Sequence, residues 1–261
     1  MPYMGIDMGS TFIKGVLLRD DGAKFMHLEK SGRDYKETVL HIRDVLLALG
    51  GVKAEDAAIL ATGCGEQCIP FEAGHSGEMS CLIRAVSETE TGPCIILDLG
   101  GQSGRLGIMS KDGWLEAFDY SEKCASGSGK VLESVAHVLQ IPFDQLSEAA
   151  DHAEHIVTFT VSCAVFAESE AIAAIARGER KEDIVAGYHH AIAAKLAAML
   201  SKHDTSNLPI FATGGMSKDA ALIRILGEKI GKSVKILANP QYYIALGAAL
   251  LIQNGKLGSK D

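Results

Sequence analysis

The sequence predicts an α/β protein made of two similar halves with a cleft between them. A pattern of strand, Asp-x-Gly turn, strand, Asp-Gly turn, strand and helix occurs at residues 3–49 and again at 94–139. An internal repeat of this size suggests two like domains. The chain has 261 residues, 47% of them hydrophobic, which exceeds a typical single domain and provides for two cores.

The first half follows the repeat closely, because apolar runs, turn residues and helical spacing alternate in it. The predicted elements are strands at 3–8, 12–19 and 24–30, a helix at 36–49, a strand at 57–61, and a helix from 76 or 77 to 88. The turn Thr91-Gly92-Pro93 indicates a domain boundary. We therefore expect an N-terminal domain of residues 1–92 plus 241–261 and a second domain of residues 93–240.

The second half begins with the repeated strands and then becomes mainly helical. The predicted strands are 94–99, 105–110, 114–120, 208–212 and 234–237, and the predicted helices are 131–140, 143–150, 166–177, 181–200, 218–230 and 242–253. The helix at 181–200 is expected to be amphipathic. Its His189-His190 pair is expected to lie on a solvated face.

Composition excludes several classes of function. The net charge is −8 and no basic run is present, which argues against a nucleic-acid-binding surface. The longest apolar runs are shorter than the roughly 20 residues of a membrane span, and no signal peptide precedes the first strand. The six cysteines are therefore expected to be reduced thiols or metal ligands in a cytoplasmic protein.

The Asp-x-Gly turns suit a nucleotide with a divalent metal, because glycines let the backbone approach phosphate oxygens. Asp7 and Asp98 are the candidate catalytic carboxylates that hold the waters of Mg²⁺. The residues predicted to bind the nucleotide are Gly9, Ser10, Thr11, Lys14, Gly100, Gly101, Gln102, Gly127, Gly129, Gly214, Gly215 and Met216. The alternative is that these turns are ordinary hairpins.

Two cysteines occur beside predicted helix starts. Cys124 precedes the glycine-rich turn at 127–129, and Cys163 precedes the helix at 166–177. Two thiolates are half of a four-thiolate iron–sulfur site, and a second copy of the chain would supply the rest. A purely structural role for both is the alternative. Cys64 and Cys68 are interpreted as plain thiols, and Cys81 and Cys94 as core residues.

Several motifs resemble those of one protein family. GIDMGST at 5–11 and DLGGQ at 98–102 resemble the phosphate motifs of the actin, sugar-kinase and heat-shock ATPase superfamily. KCASGSG at 123–129, CAVFAESE at 163–170 and ALGAAL at 245–250 resemble the ATPase activators of 2-hydroxyacyl-CoA dehydratases, which are related to the ATPase subunits of benzoyl-CoA reductase. The resemblance implies duplicated actin-like, ribonuclease H-like domains.

The resemblance also implies a function. It implies a homodimer with one shared [4Fe–4S] cluster, held by Cys124 and Cys163 of each subunit. It implies hydrolysis of ATP to ADP coupled to one-electron transfer into a partner iron–sulfur dehydratase or reductase. The chain departs from the family pattern at Ser103, where the family usually has Asp, and at Cys64 and Glu66. A small-molecule kinase of the superfamily and a non-catalytic nucleotide-binding sensor therefore remain alternatives.

Overall fold

The computed structural model describes residues 1–120, 129–159 and 164–255. The chain separates into two compact units. Unit 1 comprises Met1–Pro93, Met109–Glu116 and Gln241–Asp261, and unit 2 comprises Cys94–Ile108 and Ala117–Pro240. None of the helices in the described ranges is both long enough and apolar enough to cross a membrane.

Ten strands form two five-stranded sheets in the described part of the chain. They are β1 (Tyr3–Met8), β2 (Phe12–Leu18), β3 (Lys24–Lys30), β4 (Ala58–Thr62), β5 (Gly74–His75), β6 (Cys94–Leu99), β7 (Gly104–Met109), β8 (Leu115–Tyr120), β9 (Ile210–Thr213) and β10 (Val234–Ile236). The orders are β3-β2-β1-β4-β5 and, read from the other edge, β8-β7-β6-β9-β10. The two sheets therefore share one topology, as the internal repeat predicts.

Strand pairing in both sheets places β1 and β6 at the centre. β1 runs antiparallel to β2 and parallel to β4, and β6 runs parallel to β9. Within this register Asp7 lies opposite Thr62, and Asp98 lies opposite Thr213. The carboxyl end of each central strand thus carries one aspartate beside one threonine.

Eight α-helices accompany the sheets in the described ranges. They are α1 (Tyr35–Gly50), α2 (Glu78–Thr89), α3 (Gly129–Leu139), α4 (Leu146–Asp151), α5 (Ala164–Ala176), α6 (Lys181–Leu200), α7 (Ala220–Ile230) and α8 (Tyr243–Gln253). The predicted bounds differ from these mainly at the ends. One difference is larger, because Phe143–Gln145 forms a short 3₁₀ turn before α4.

In unit 1, α8 packs against β1 and α2 at very close range. A Cβ atom built on Gly247 would lie 1.7 Å from the carbonyl oxygen of Cys81 on α2. A Cβ atom built on Gly5 of β1 would lie 1.9 Å from the carbonyl oxygen of Ala245 on α8. Because no side chain fits at either position, the backbones themselves form this part of the core. Cys81 and Cys94 are both buried, as expected.

The prediction that α6 is amphipathic was wrong. Every residue from Asp183 to His189 is buried, so the first half of α6 has no solvated face. Tyr188 stacks on Phe159 at 4.1 Å between ring centroids and donates to the carbonyl of Ala167. The helix packs against α3, α4, α5 and α7. The first half of α6 therefore carries no apolar stripe, because all of its faces are inside, whereas Ala194 and Ala198 of the second half are exposed.

The prediction that His189 lies on a solvated face was also wrong. His189 is fully buried, whereas His190 is partly exposed. One ring nitrogen of His189 lies 2.7 Å from Asp219 Oδ2, and the other lies 2.8 Å from the carbonyl oxygen of Val185. Asp219 also caps α7 through the amide of Leu222. The histidine is therefore part of the polar interior of unit 2.

Candidate functional site

Asp7 is the next-to-last residue of β1 in unit 1 and is 3% exposed. Its Oδ2 lies 2.8 Å from Nζ of Lys14, the residue opposite it on β2. Its Oδ1 has no hydrogen-bond partner among the described residues. Gly63 follows β4 with φ of +97°, and a Cβ atom there would lie 2.8 Å from Oδ1. The backbone of Gly63 thus borders an unsatisfied carboxylate oxygen.

The carbonyl oxygens of the turn after Asp7 accept hydrogen bonds from other parts of unit 1. The hydroxyl of Ser31 donates to the carbonyl of Gly9 at 2.6 Å, and the hydroxyl of Tyr35 donates to that of Ser10 at 3.3 Å. The amide of Ser31 donates to the carbonyl of Thr11 at 3.0 Å. A phosphate-binding turn needs its carbonyls held by protein in this way, because phosphate is bound by amide N–H groups.

Asp98 is the next-to-last residue of β6 in unit 2 and is 5% exposed. Its Oδ1 accepts a hydrogen bond from the hydroxyl of Thr213 at 3.0 Å. Its Oδ2 lies 3.3 Å from Nη1 of Arg105 on β7. Both carboxylate oxygens of Asp98 are therefore bound by protein, whereas only Oδ2 of Asp7 is bound by a described residue.

Each aspartate has a basic partner on the neighbouring strand, and only one of the two, Lys14, is among the residues predicted from the sequence. Lys14 and Arg105 each follow their aspartate by seven residues, and each binds its Oδ2. The tripeptide Ala-Thr-Gly also occurs at the ends of β4 and β9, at 61–63 and at 212–214. The first copy of this tripeptide and Arg105 were missed. The recurrence of both features at matching places in the internal repeat is the signal that would have found them.

The turn after Asp98 contacts the start of α3. Gly100 donates to the carbonyl of Ser103 at 3.0 Å, which closes the turn. The amides of Gly129 and Lys130 donate to the carbonyls of Gly100 and Gly101 at 3.1 and 2.8 Å. The structure thus brings together three predicted nucleotide residues, Gly100, Gly101 and Gly129. The first two amides of α3 are directed at protein carbonyls.

The third predicted loop follows β9. Gly214 adopts φ of +83°, and a Cβ atom there would lie 2.4 Å from the carbonyl oxygen of Leu99. Its amide donates to Pro240 at 2.8 Å, and its carbonyl accepts from the hydroxyl of Ser217. Met216 is buried and lies 3.3 Å from the Cβ position of Gly129. The loop at 214–217 therefore lies beside the start of α3.

Three predicted site residues lie outside the described residues, namely Cys124, Gly127 and Cys163. Two others are described and close to solvent, since Gln102 is exposed and Gly215 is partly exposed. Cys64 follows Gly63 in unit 1, and its thiol donates to the carbonyl of Met8 at 3.4 Å. Cys64 therefore belongs to the wall of the Asp7 turn.

The Asp7 turn fits a hydrated divalent cation. Mg²⁺ in proteins keeps several waters and is bound through one or two carboxylates. A buried carboxylate oxygen without a partner is costly, and a metal-bound water would satisfy it. In the Asp98 turn both carboxylate oxygens already have protein partners. This turn is suited to holding a loop in place more than to binding a cation directly.

Comparison with known proteins gives a match along nearly the whole chain. The model of the BadF/BadG/BcrA/BcrD ATPase family matches residues 4–251. The activator of lactoyl-CoA dehydratase from Anaerotignum propionicum is 30% identical over 96% of this chain and 96% of its own. The activating ATPase of the (R)-2-hydroxyglutaryl-CoA dehydratase from Acidaminococcus fermentans is 30% identical over 95% of this chain and 95% of its own. One component of the benzoyl-CoA reductase of Thauera aromatica is 30% identical over 94% of this chain and 91% of its own.

Solved structures show the same relationship. The activator of the 2-hydroxyisocaproyl-CoA dehydratase from Clostridium difficile, solved with bound ADPNP, has a TM-score of 0.84 and 27% sequence identity. The likeness covers 100% of this chain and 99% of that one. It confirms the predicted α/β fold with duplicated actin-like domains.

Proposed function

The chain belongs to the BadF/BadG/BcrA/BcrD ATPase family, and from this we propose that it is an ATP-hydrolysing activator. It delivers a low-potential electron to a 2-hydroxyacyl-CoA dehydratase or a related acyl-CoA reductase. The observation that carries the proposal is the end-to-end match, which spans residues 4–251 and includes relatives that are activators of such dehydratases. Short phosphate motifs alone would support only nucleotide binding.

The nucleotide part of the proposal assigns roles to residues of both units. Asp7 holds the waters of Mg²⁺ through Oδ1, while Lys14 fixes the other oxygen at 2.8 Å. The turns at 9–11 and 100–102 line the phosphate oxygens, and the loop at 214–216 and Gly129 lie nearer the ribose and adenine. Bound Mg²⁺ neutralises charge on the phosphates. Asp98, held by Thr213 and Arg105, keeps its turn in position.

The electron-transfer part of the proposal rests on sequence motifs. Cys124 and Cys163 of two subunits would supply the four thiolates that a [4Fe–4S] cluster requires. Such a cluster accepts and donates one electron. The homodimer follows from the same count, because one chain offers only two cysteines in these motifs.

Non-catalytic nucleotide binding is a second candidate function, and one observation favours it. Ser103 stands where the family usually has an aspartate, and Asp98 has both oxygens bound by protein. Ser103 then supplies no carboxylate to this turn, and both oxygens of Asp98 already have protein partners. A nucleotide-binding protein of this kind would bind ATP without hydrolysing it.

Two variants separate the two halves of the proposal. We expect Asp7→Asn to lower the rate of ATP hydrolysis by about 100-fold, as loss of a preorganised electrostatic group does, and to retain its iron. We expect Cys124→Ala to lose its iron and to retain ATP binding. The matched control for the first variant is Asp112→Asn, since Asp112 is an exposed aspartate in another hairpin turn.

The measurements are ATP hydrolysis, ATP binding and iron content of protein purified without oxygen. Wild-type hydrolysis in Asp7→Asn would contradict the assignment of the cation site. Full iron content in Cys124→Ala would contradict the cluster assignment. ATP binding without hydrolysis in the wild type would favour the sensor. A further test is removal of iron by a chelator, which ATP should accelerate more than ADP if the two sites are coupled.

A further inference from the structure

We propose that His27, Glu29 and His41 form a binding site for a zinc-class divalent metal ion on unit 1. None of these three residues is among those assigned to the nucleotide or the iron–sulfur cluster. His27 and Glu29 belong to β3, the edge strand of the first sheet, and His41 belongs to α1. One ligand atom from each of the three side chains lies within 4.8 Å of the other two.

The geometry converges on a single carboxylate oxygen. Oε1 of Glu29 lies 2.7 Å from Nε2 of His27 and 2.6 Å from Nδ1 of His41. The two rings meet edge to face, with centroids 6.3 Å apart and an angle of 76° between their planes. One nitrogen from each ring therefore contacts the same carboxylate oxygen.

Local structure explains why the three side chains meet. His27 and Glu29 are two residues apart on a strand and point to the same face. Phe25, two residues before His27, is packed against the core that α1 covers, so this face of β3 is directed toward α1. His41 lies on the outer side of α1, and its side chain is 63% exposed. An ion would enter from solvent and would bridge a helix to an edge strand.

Glu29 and the two histidines offer the atoms that a metal ion needs. Oε1 of Glu29 faces one ring nitrogen of each histidine. Each histidine would bind the metal through the ring nitrogen that faces Glu29. That nitrogen must carry no hydrogen, which requires the neutral imidazole with its hydrogen on the other ring nitrogen.

The donor set indicates which metal would bind. Two imidazole nitrogens and one carboxylate oxygen are ligands of Zn²⁺, which takes them at about 2.0–2.2 Å and fills its fourth position with water. Donors around such an ion are separated by roughly 3.4 Å, so the present contacts need to lengthen by only about 0.7 Å. Mg²⁺ and Ca²⁺ prefer sites made of oxygen donors. The site is thus chemically distinct from the proposed Mg²⁺ site at Asp7.

The test is zinc binding to the full-length protein in excess Mg²⁺, measured by equilibrium dialysis. Wild type should bind one more equivalent of zinc per chain than His41→Ala or Glu29→Gln, or bind it with an affinity higher by more than about tenfold. His137→Ala is the matched control, because His137 is an exposed helical histidine far along the chain from His27, Glu29 and His41. It should bind zinc as wild type does. Cysteine ligands are identical in all four proteins, so they do not contribute to the difference.

A second readout separates binding at this site from loss of folding. Zinc should raise the thermal unfolding midpoint of wild type and His137→Ala, because a ligand that binds only the folded state stabilises it. It should leave the midpoint of His41→Ala and Glu29→Gln unchanged, and all four midpoints should agree in the presence of EDTA to within a few degrees. Equal zinc stoichiometry and affinity in wild type, His41→Ala and Glu29→Gln would overturn the proposal. No zinc binding to wild type would overturn it equally.

Discussion

Replacing His189 with alanine should destabilise unit 2 severely. The ring of His189 is fully buried between α6 and α7, where it lies 2.7 Å from Asp219 Oδ2 and 2.8 Å from the carbonyl oxygen of Val185. The substitution removes both contacts at once. Asp219 would keep its bond to the amide of Leu222, while its second oxygen would lose His189 as a partner inside the protein.

The magnitude follows from that uncompensated charge. Removing one partner of a buried, hydrogen-bonded pair costs about 3–5 kcal/mol, most of it from the group that is left behind. Loss of the ring also leaves a cavity in a helical core. For a chain of this size, 1 kcal/mol lowers the unfolding midpoint by about 2–4 °C, so we expect a fall of roughly 6–20 °C. The start of α7 should loosen as well, because Asp219 caps it.

The assay is urea unfolding followed by helical circular dichroism. The matched control is His190→Ala, which makes the same chemical change one residue away at a half-buried position and should cost less than about 1 kcal/mol. The denaturant dependence should be similar in both variants, so that the difference reports native stability. Equal unfolding free energies for His189→Ala and His190→Ala would refute the reasoning.

Two other predictions concern a buried carboxylate and a buried thiol. Burial acts to raise the pKa of Asp183, but amide hydrogen bonds from His155 and Glu154 outweigh it and lower the pKa below 3.8. Since the folded state then holds the proton less tightly, Asp183→Asn should lower the unfolding free energy at pH 7, and this deficit should shrink as the pH falls below about 4; a deficit constant between pH 7 and pH 3 would contradict the assignment. Burial raises the pKa of Cys81 to about 12, so iodoacetamide at pH 8 should label the exposed Cys64 in the native protein and Cys81 only after unfolding, as read by peptide mass spectrometry; labelling of Cys81 at the rate of Cys64 would disprove its burial.

Most elements of the fold were predictable because their local patterns are strong. The helix at 36–49 differs from α1 by one residue at each end, since Asp34 caps its start and Gly51, with φ of +61°, ends it. The strand β5 has only two residues and leaves no pattern in a sequence. The interior position of α6 was not predictable either, because an Ala-rich helix with scattered polar residues has the same sequence whether it covers a core or crosses one.

The candidate site was predictable in its turns but not in its contacts. Asp7 and Asp98 are recognisable because a turn with glycine follows each of them on an apolar strand. The partners of Asp98 come from β7 and β9, and Thr213 follows it by 115 residues. A single sequence contains no signal for such a distant pair unless an internal repeat supplies one. The Ala-Thr-Gly copies at 61–63 and 212–214 do supply it, and they show that the repeat extends beyond the turns.

The difference between the two aspartates bears on the proposed mechanism. Both occupy equivalent positions near the end of a central strand, and both bind a basic residue seven positions later in the chain. Only Asp98 receives a hydroxyl from the threonine opposite it, whereas Oδ1 of Asp7 receives no bond from any described residue. In a duplicated fold, a contact kept in one half and missing in the other points to the half where an external group completes the site. An ion or water at Asp7 would provide for Oδ1 what Thr213 provides for Asp98, and for that reason the proposed cation site is assigned to unit 1.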